Sequence, residues 1–262
     1  MESQPTIDAS RDSGVYFLLA IRSNGIVASI SRKGCHMPAR PAASPSFSDR
    51  MAQLLQRVEY RRADSPDDRE AIFRLRYDAY LREGEIGPLP SRRFADHVDE
   101  EPNAFNFGVY IDGVLAGAIR VSVTMPGRAW LPAFDVFEDI LSPEIQAGKS
   151  FVDPSKFVAD YASSRRHPEL PYVILRLAWV AMEYFKADML LGAIRAEHLP
   201  FYKRLWRCHL LCPPRPYPGL CTPVCLAAVD YPTQHNEVYR RHPFFQSNSL
   251  EQKVLFDRSP SV

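Results

Sequence analysis

The chain has 262 residues, 46% hydrophobic and 24% charged, the make-up of an ordinary soluble globular protein. A chain of this length can bury well over half the surface its unfolded form exposes, enough for one large domain or two small ones. Basic and acidic residues nearly balance, 32 against 31, so a global electrostatic grip on nucleic acid is not expected, and only a local patch stays open.

The five cysteines are odd in number and sparse, which disfavours a disulfide-stapled secreted fold and suits a reducing compartment. The longest early apolar run, Val15–Ile21, falls far short of the roughly 20 residues a spanning helix needs. Glu2, Asp8 and Asp12 precede it where a secretory signal carries positive charge. A cytoplasmic protein with no transmembrane segment is expected.

Residues 1–53 read as a poorly ordered extension, in which Pro38, Pro41 and Pro45 mix with Ser, Ala and Arg without periodicity; a short strand is expected near residues 15–30. Leu55–Arg61 alternates as a strand. Ser65-Pro66-Asp67-Asp68 is a helix start, with an N-cap serine, proline at the first helical position and acids in the first turn. That helix runs to about Arg82, and Gly84 and Gly87-Pro88 end it. A polar loop over 84–103 carries Asp96, Asp99, Glu100 and Glu101.

Phe105–Ile111 and Val114–Val123 are strands joined by Asp112-Gly113, a strong hairpin signal. A proline-containing connection leads to a strand at Ser150–Ala159, interrupted by Pro154. Pro171 opens a second helix, followed by a strand at Met189–Arg195, a short helix at Glu197–Trp206 and strands at 207–212 and 222–230. A domain over 54–235 and a tail over 236–262 complete the organisation. A hairpin followed by strand–helix–strand implies an α/β fold: a mixed central sheet flanked by helices, with a parallel pair in the middle.

Four segments in this order carry a resemblance. Arg74-Leu75-Arg76-Tyr77-Asp78-Ala79-Tyr80 places an arginine four residues before an aromatic, with Arg76 and Tyr80 in those places. Asp96-His97-Val98-Asp99 is an Asp-x-x-Asp loop. Gly117-Ala118-Ile119-Arg120 is a strand-borne arginine. Asp153-Pro154-Ser155-Lys156-Phe157-Val158 is similar to a Glu-x-Ser-Arg-Phe-Val strand. Together, over residues 55–231, they resemble the GNAT acyltransferases, in the branch of the acyl-homoserine-lactone (autoinducer) synthases and the FeeM-type N-acyl amino acid synthases. The resemblance implies a GNAT-like sheet splayed at its central parallel strands, with the pantetheine cleft at the splay. Asp153 stands where the family has Glu, a shift of the proton-accepting atom by about one bond length. Lys156 stands where it has Arg and cannot make arginine's planar fork.

Transfer of an acyl group from a thioester to an amine needs oxyanion stabilisation, a general base and two reactants held together. Pro154 breaks the ladder and cannot donate, so a backbone N–H between Ser155 and Val158 is the expected oxyanion donor. Asp153 is the candidate base. Strand alternation puts Asp153, Ser155 and Phe157 nominally on one face, unless a bulge resets it. Arg120, in an apolar strand, needs a carboxylate partner. Asp96 and Asp99 either hold an amine or order their loop through Arg76 or Arg120. The resemblance adds Lys156 and Phe157 to the substrate-binding set and puts Tyr202 where GNAT enzymes have a tyrosine acid for the leaving thiolate.

GNAT enzymes that use acetyl-CoA follow the central strand with a glycine-bearing loop that cradles the pyrophosphate. Residues 160–168 contain no glycine. Arg165, Arg166, Arg195, Lys203, Arg204 and Arg207 make the region beyond that strand net positive, suited to an acidic acyl carrier protein. The expected co-substrate is therefore an acyl-phosphopantetheine thioester on that carrier, with a small-molecule amine as acceptor, no tightly bound cofactor and no nucleic-acid partner. Cys208-x₃-Cys212 and Cys221-x₃-Cys225 read as buried free thiols and not as a metal site, because residues four apart on a strand lie ~13 Å apart. The leading expectation is an N-acyltransferase making a fatty-acylated amino acid or similar product. An autoinducer synthase and a non-catalytic GNAT-like acyl-binding module are the alternatives.

Overall fold

The computed structural model describes residues 45–257. The strand expected near 15–30 lies outside the described residues.

Order begins earlier than position 54. Ser46 caps helix α1 (Phe47–Leu55) through a reciprocal box with Asp49. Met51 is fully buried, and the Phe47 ring packs edge-on against Tyr172 at 4.9 Å. Leu55 therefore closes a helix and does not open a strand, and the boundary expected at 54 falls inside this element. The expected tail is also built in. It holds most of α7 (Tyr231–Arg241) and all of α8 (Ser249–Phe256), whose Phe256 packs against Phe105 and Phe107 at 5.4 and 5.3 Å.

Among the described residues seven strands form one mixed sheet in the order β1-β2-β3-β4-β5-β7-β6. They are β1 (Val58–Arg62), β2 (Ala104–Ile111), β3 (Val114–Val123), β4 (Phe151–Ala159), β5 (Met189–Ile194), β6 (His209–Arg215) and β7 (Val224–Asp230). Only β4–β5 is parallel. The β2–β3 turn has Asp112 at φ 51° and Gly113 at φ 79°, the pair of positive angles a two-residue type I′ turn requires.

Helices α2 (Pro66–Arg82) and α3 (Phe134–Gln146) cover one face, α5 (Leu170–Phe185) the other. Alternation along the strands sorts them. Ala118 and Val158 pack with Ile72 and Phe73 of α2, while Phe151 and Leu191 pack with Phe137 and Leu141 of α3. On the opposite face, α5 approaches β3 so closely that a Cβ on Gly117 would lie 2.3 Å from Ile174. Two further short helices follow β4 and β5: α4 (Tyr161–Arg166) and α6 (Leu199–Trp206). Among the described residues no helix is long and apolar enough to cross a membrane.

The parallel pair is brief. β4 and β5 pair only at Phe151↔Met189 and Val152↔Leu190, then separate at Asp153–Pro154. Thr124 N–H donates to the Phe151 carbonyl, so the β3–β4 ladder alternates such that Pro154 turns its nitrogen away from β3, toward β5. A residue without an N–H thus sits where the parallel ladder ends.

Candidate active site

The separation of β4 from β5 opens a cavity on each face of the sheet, and Pro154 borders both.

The cavity on the α2/α3 face measures ≈ 200 Å³, and its lining includes Tyr80, Asp96, Arg120, Asp153, Ser155 and Lys156. A buried ion network builds its wall. Arg120, 2% exposed, donates to Asp96, to Asp99 at 3.2 Å and through Nε to Ser155 Oγ at 3.0 Å. Arg76, fully buried, donates to Asp99 at 2.7 Å and to the Asn106 side-chain carbonyl at 2.6 Å; Asn106 in turn donates to the Asp99 backbone carbonyl at 3.1 Å. Lys156 Nζ lies 3.2 Å from Asp96 and 3.8 Å from the Phe94 ring centroid, a cation over an aromatic face.

Burial opposes ionisation of Asp96, but Arg120 and Lys156 outweigh it and hold its pKa down at about 2. Burial works the other way on Lys156 and lowers it to about 8 despite Asp96. The Asp-x-x-Asp loop is thus ordered by the arginines. Arg76 and Asp99 do not line this cavity; they stand behind it and brace Arg120.

Asp153 is 1% exposed. Its Oδ2 accepts the Ala133 N–H at 2.9 Å, and its other oxygen lines the cavity without a hydrogen-bond partner among the described residues. Burial raises its pKa to about 6, against the Ala133 hydrogen bond and the Arg120 charge. A carboxylate poised there can accept a proton near neutral pH.

A β-bulge resets the face on which Phe157 was expected. The β3–β4 register shifts between Ala118 and Arg120, and Lys156 takes φ 51°, a left-handed angle costly for a side-chain-bearing residue. Lys156 joins Asp153 and Ser155 on the polar side, and Phe157 turns to the other. Ser155 and Val158 pair with Arg120 and Ala118 in the ladder, which leaves the Lys156 and Phe157 amides as the two outside it.

The second cavity, on the α5 face, is apolar and measures ≈ 30 Å³; Phe157, Gly192, Ile194, Tyr202 and Trp206 contribute to its walls. Burial pushes the Tyr202 phenol above its ordinary pKa, so it stays protonated and able to donate. No hydrogen bond holds its hydroxyl among the described residues.

Sequence reasoning missed Tyr217, which reaches the polar cavity from the β6–β7 loop and donates to the Pro132 carbonyl at 3.3 Å. Burial and then the Asp153 charge raise its pKa. Only long-range pairing of β6 with β7 brings it there, and no local motif announces it. Pro132 and Asp135, at the start of α3, line the same cavity and were likewise missed. Among the described residues no group of three or more His, Cys, Asp or Glu side chains forms a metal site. Cys208, Cys212 and Cys225 are buried thiols, but Cys221 is exposed, contrary to expectation.

The sheet splays beside its bulged strand β4, with the buried carboxylate of Asp153 at the split. Residues 71–230 match the family model of the N-acyl amino acid synthase FeeM, over more than half of the chain, and the protein belongs to that family. The solved FeeM, an N-acyl amino acid synthase from uncultured soil microbes, is 21% identical with a TM-score of 0.57, covering 68% of this chain and 92% of that one. TofI, solved in a ternary complex with an inhibitor and MTA, gives 16% identity and a TM-score of 0.53 over 72% of this chain and 100% of that one. BjaI, a CoA-dependent acyl-homoserine lactone synthase solved with MTA, gives 15% and 0.50 over 72% and 88%. These likenesses show a shared fold. Among curated proteins none matches.

Proposed function

We propose that this acyltransferase moves a fatty acyl group from an acyl carrier protein thioester to the amine of an amino acid or similar small molecule, in the cytoplasm. The observation that carries this reading is the split at Pro154, with a polar cavity around Asp153 on one face and an apolar cleft bearing Tyr202 on the other. The acceptor amine enters the polar cavity and attacks the thioester carbonyl carbon. Asp153 takes the proton released from the amine nitrogen. The Lys156 and Phe157 amides stabilise the oxyanion. The C–S bond then breaks, and Tyr202 protonates the departing thiolate. Ser155, whose oxygen accepts from Arg120, positions that arginine against the strand.

The choice of carrier protein over coenzyme A rests on the two helix starts beyond β4. Asp160 caps α4 with its own carboxylate, accepting the Ser163 N–H at 2.7 Å. Glu169 stands at the N-cap of α5 and pairs with Arg50. Each helix start that would face a pyrophosphate already carries a negative group. Nearby, Arg165, Arg166, Lys203, Arg204 and Arg207 are exposed, a surface suited to an acidic carrier.

The test supplies the purified full-length chain with acyl carrier protein and coenzyme A thioesters of the same chain, a panel of amino acids, and S-adenosylmethionine. Mass spectrometry should find an acyl-amino acid, formed at least tenfold more efficiently from the carrier. Equal or better kinetics with the coenzyme A thioester would overturn the donor assignment. An acyl-homoserine lactone would make the protein an autoinducer synthase, and no product at all would leave an acyl-binding module.

A further inference from the structure

Two rungs of the β3–β4 ladder carry polar pairs on the α2/α3 face of the sheet. Arg120 stands opposite Ser155, and Ser122 stands opposite Asp153. Residues two apart on a strand share a face, so both pairs lie on the same side. In the first pair the arginine Nε donates to the serine Oγ at 3.0 Å. In the second, the Ser122 hydroxyl is buried and has no hydrogen-bond partner among the described residues. Ser122 and Asp153 are each 1% exposed. Apart from Arg120, Ser122 is the only polar side chain in β3.

A buried hydroxyl without a partner is costly, and alanine in its place would remove the cost. Such a group in a folded protein calls for a reason. On the β2 side its rung neighbour is Ala104, which offers only a methyl group. On the β4 side its neighbour is Asp153. Directly opposed residues hold their Cβ atoms about 5 Å apart, so rotation of Ser122 about χ1 can bring its hydroxyl within hydrogen-bond reach of the carboxylate. That carboxylate has acceptor capacity to spare. Its Oδ2 accepts the Ala133 N–H, and its other oxygen accepts nothing among the described residues.

Resting on the reading of Asp153 as the base, we infer that Ser122 is a positioning residue for it: the Ser122 hydroxyl turns to donate to the Asp153 carboxylate when that group is ionised. A hydrogen bond to a charged acceptor is roughly twice as strong as one to a neutral acceptor, so the serine favours the ionised base. It thereby offsets part of the burial that raises the Asp153 carboxyl. Ser122 does not line the cavity. Its part is to keep Asp153 unprotonated and oriented before the amine arrives, and the proton still passes from the amine nitrogen to Asp153. Other titratable groups line the cavity with Asp153. Tyr80 comes from α2, Asp96 and His97 from the loop before β2, and Arg120 from β3. Lys156 comes from β4, Asp135 from α3 and Tyr217 from the β6–β7 loop. None of them stands opposite Asp153 in the ladder as Ser122 does.

Ser122→Ala in the full-length protein tests this by two readouts. The first is the pH dependence of urea unfolding, which needs no substrate. Stability falls with rising pH as the folded Asp153 gives up its proton, and in the variant that limb should extend about one pH unit higher. The second is kcat/KM for acyl transfer, whose rise with pH should move up by about the same unit. At pH 4, where Asp153 is protonated, the variant should melt at or above the parent temperature, since it loses an unpartnered hydroxyl. In an Asp153→Asn background, Ser122→Ala should leave the unfolding profile unchanged, which separates Asp153 from the other groups of the cavity. A limb and a rise at the parental pH in Ser122→Ala would overturn the inference, as would an equal shift in the Asp153→Asn background. The unfolding limb and the transfer assay fail separately: a shifted limb without any acyl transfer would reject the proposed function and keep the Ser122–Asp153 pair.

Discussion

The two cavities that meet at Pro154 are made in opposite ways. On the α2/α3 face the wall is an ionic lattice: Arg76, Asp99, Arg120, Asp96 and Lys156, each holding the next. On the α5 face the wall is aromatic and aliphatic packing, and the Tyr202 hydroxyl stands in it without a partner among the described residues. The two sides meet because β4 and β5 alternate their residues between faces: Ala193 goes to one, and Gly192 and Ile194 to the other. A single break in a parallel ladder thus sets a charged cavity back to back with an apolar one. The ionic side gains fixed geometry and depends on every member, whereas the packed side tolerates change in proportion to volume.

The largest expected effect comes from that dependence. Arg76→Ala removes the 2.7 Å partner of buried Asp99 and leaves it Arg120 at 3.2 Å and the Asp96 N–H at 2.9 Å, so it should cost up to about 3–5 kcal/mol, the range for breaking buried pairs. Urea unfolding at pH 7 reads this directly, and a parental midpoint would show that Asp99 is held well enough without Arg76. The packed side has its own anchor in α1, whose Phe47 supports Tyr172, which in turn packs on Phe201 at 5.5 Å. A chain beginning at Gln53 loses the fully buried Met51 and should be less stable by about 2–5 kcal/mol. A chain beginning at Pro45 keeps it, and we propose that residues 1–44 are dispensable for transfer. Loss of activity in that chain would refute this.

Acid titration separates the carboxylates. Asp96 is held at about 2, below the ordinary aspartate value of 3.8, so its contribution is present above 3.8 and is lost as pH falls through about 2. Asp153, raised to about 6, does the reverse. The folded protein keeps a proton that the unfolded chain has released, so stability falls as pH rises from about 4 to about 6. That loss is of the order of 3 kcal/mol for a shift of this size. Asp153→Asn should abolish the falling limb and be as stable as the parent at pH 7 or more so. A falling limb that survives in this variant would assign it to another group. The smallest effect is expected at Tyr202→Phe. A thiolate is already a good leaving group, so loss of the acid should slow turnover about tenfold or less with the melting temperature unchanged. A much larger loss would give the hydroxyl a second role, in holding the substrate.

Much of this was legible in the chain because local chemistry announces it. The Asp112-Gly113 turn, the Ser65-Pro66 helix start and the interrupting Pro154 all lie where their residue types require. The features that escaped notice depend on tertiary structure or on weak local signals. α3 begins at Phe134 behind Ala133, which gives it no side-chain cap, kinks at Phe137 and contains Pro143, so its sequence reads as a connection. α7 and α8 do have capping residues, Asp230 and Asn248, but lie beyond the last strand, where no sheet pairing marks them. The bulge that separates Phe157 from Asp153 hinges on a lysine at φ 51°, and lysine gives no warning of a left-handed angle. Arg76 and Asp99 were expected at the site by motif; neither lines the polar cavity, and Asp99 pairs with both Arg76 and Arg120.

The central claim is that Asp153, on the polar side of the split, takes the proton from the attacking amine. The most direct test is the pH dependence of kcat/KM for acyl transfer in the parent and in Asp153→Asn, at saturating amine. The parent profile should rise through about pH 6, where the buried carboxylate ionises. The variant should transfer at least about 100-fold more slowly, the low end of a general base's contribution, remain folded, and lack that rise. Parental turnover in the variant, or the same rise through pH 6 without the carboxylate, would remove Asp153 from the chemistry.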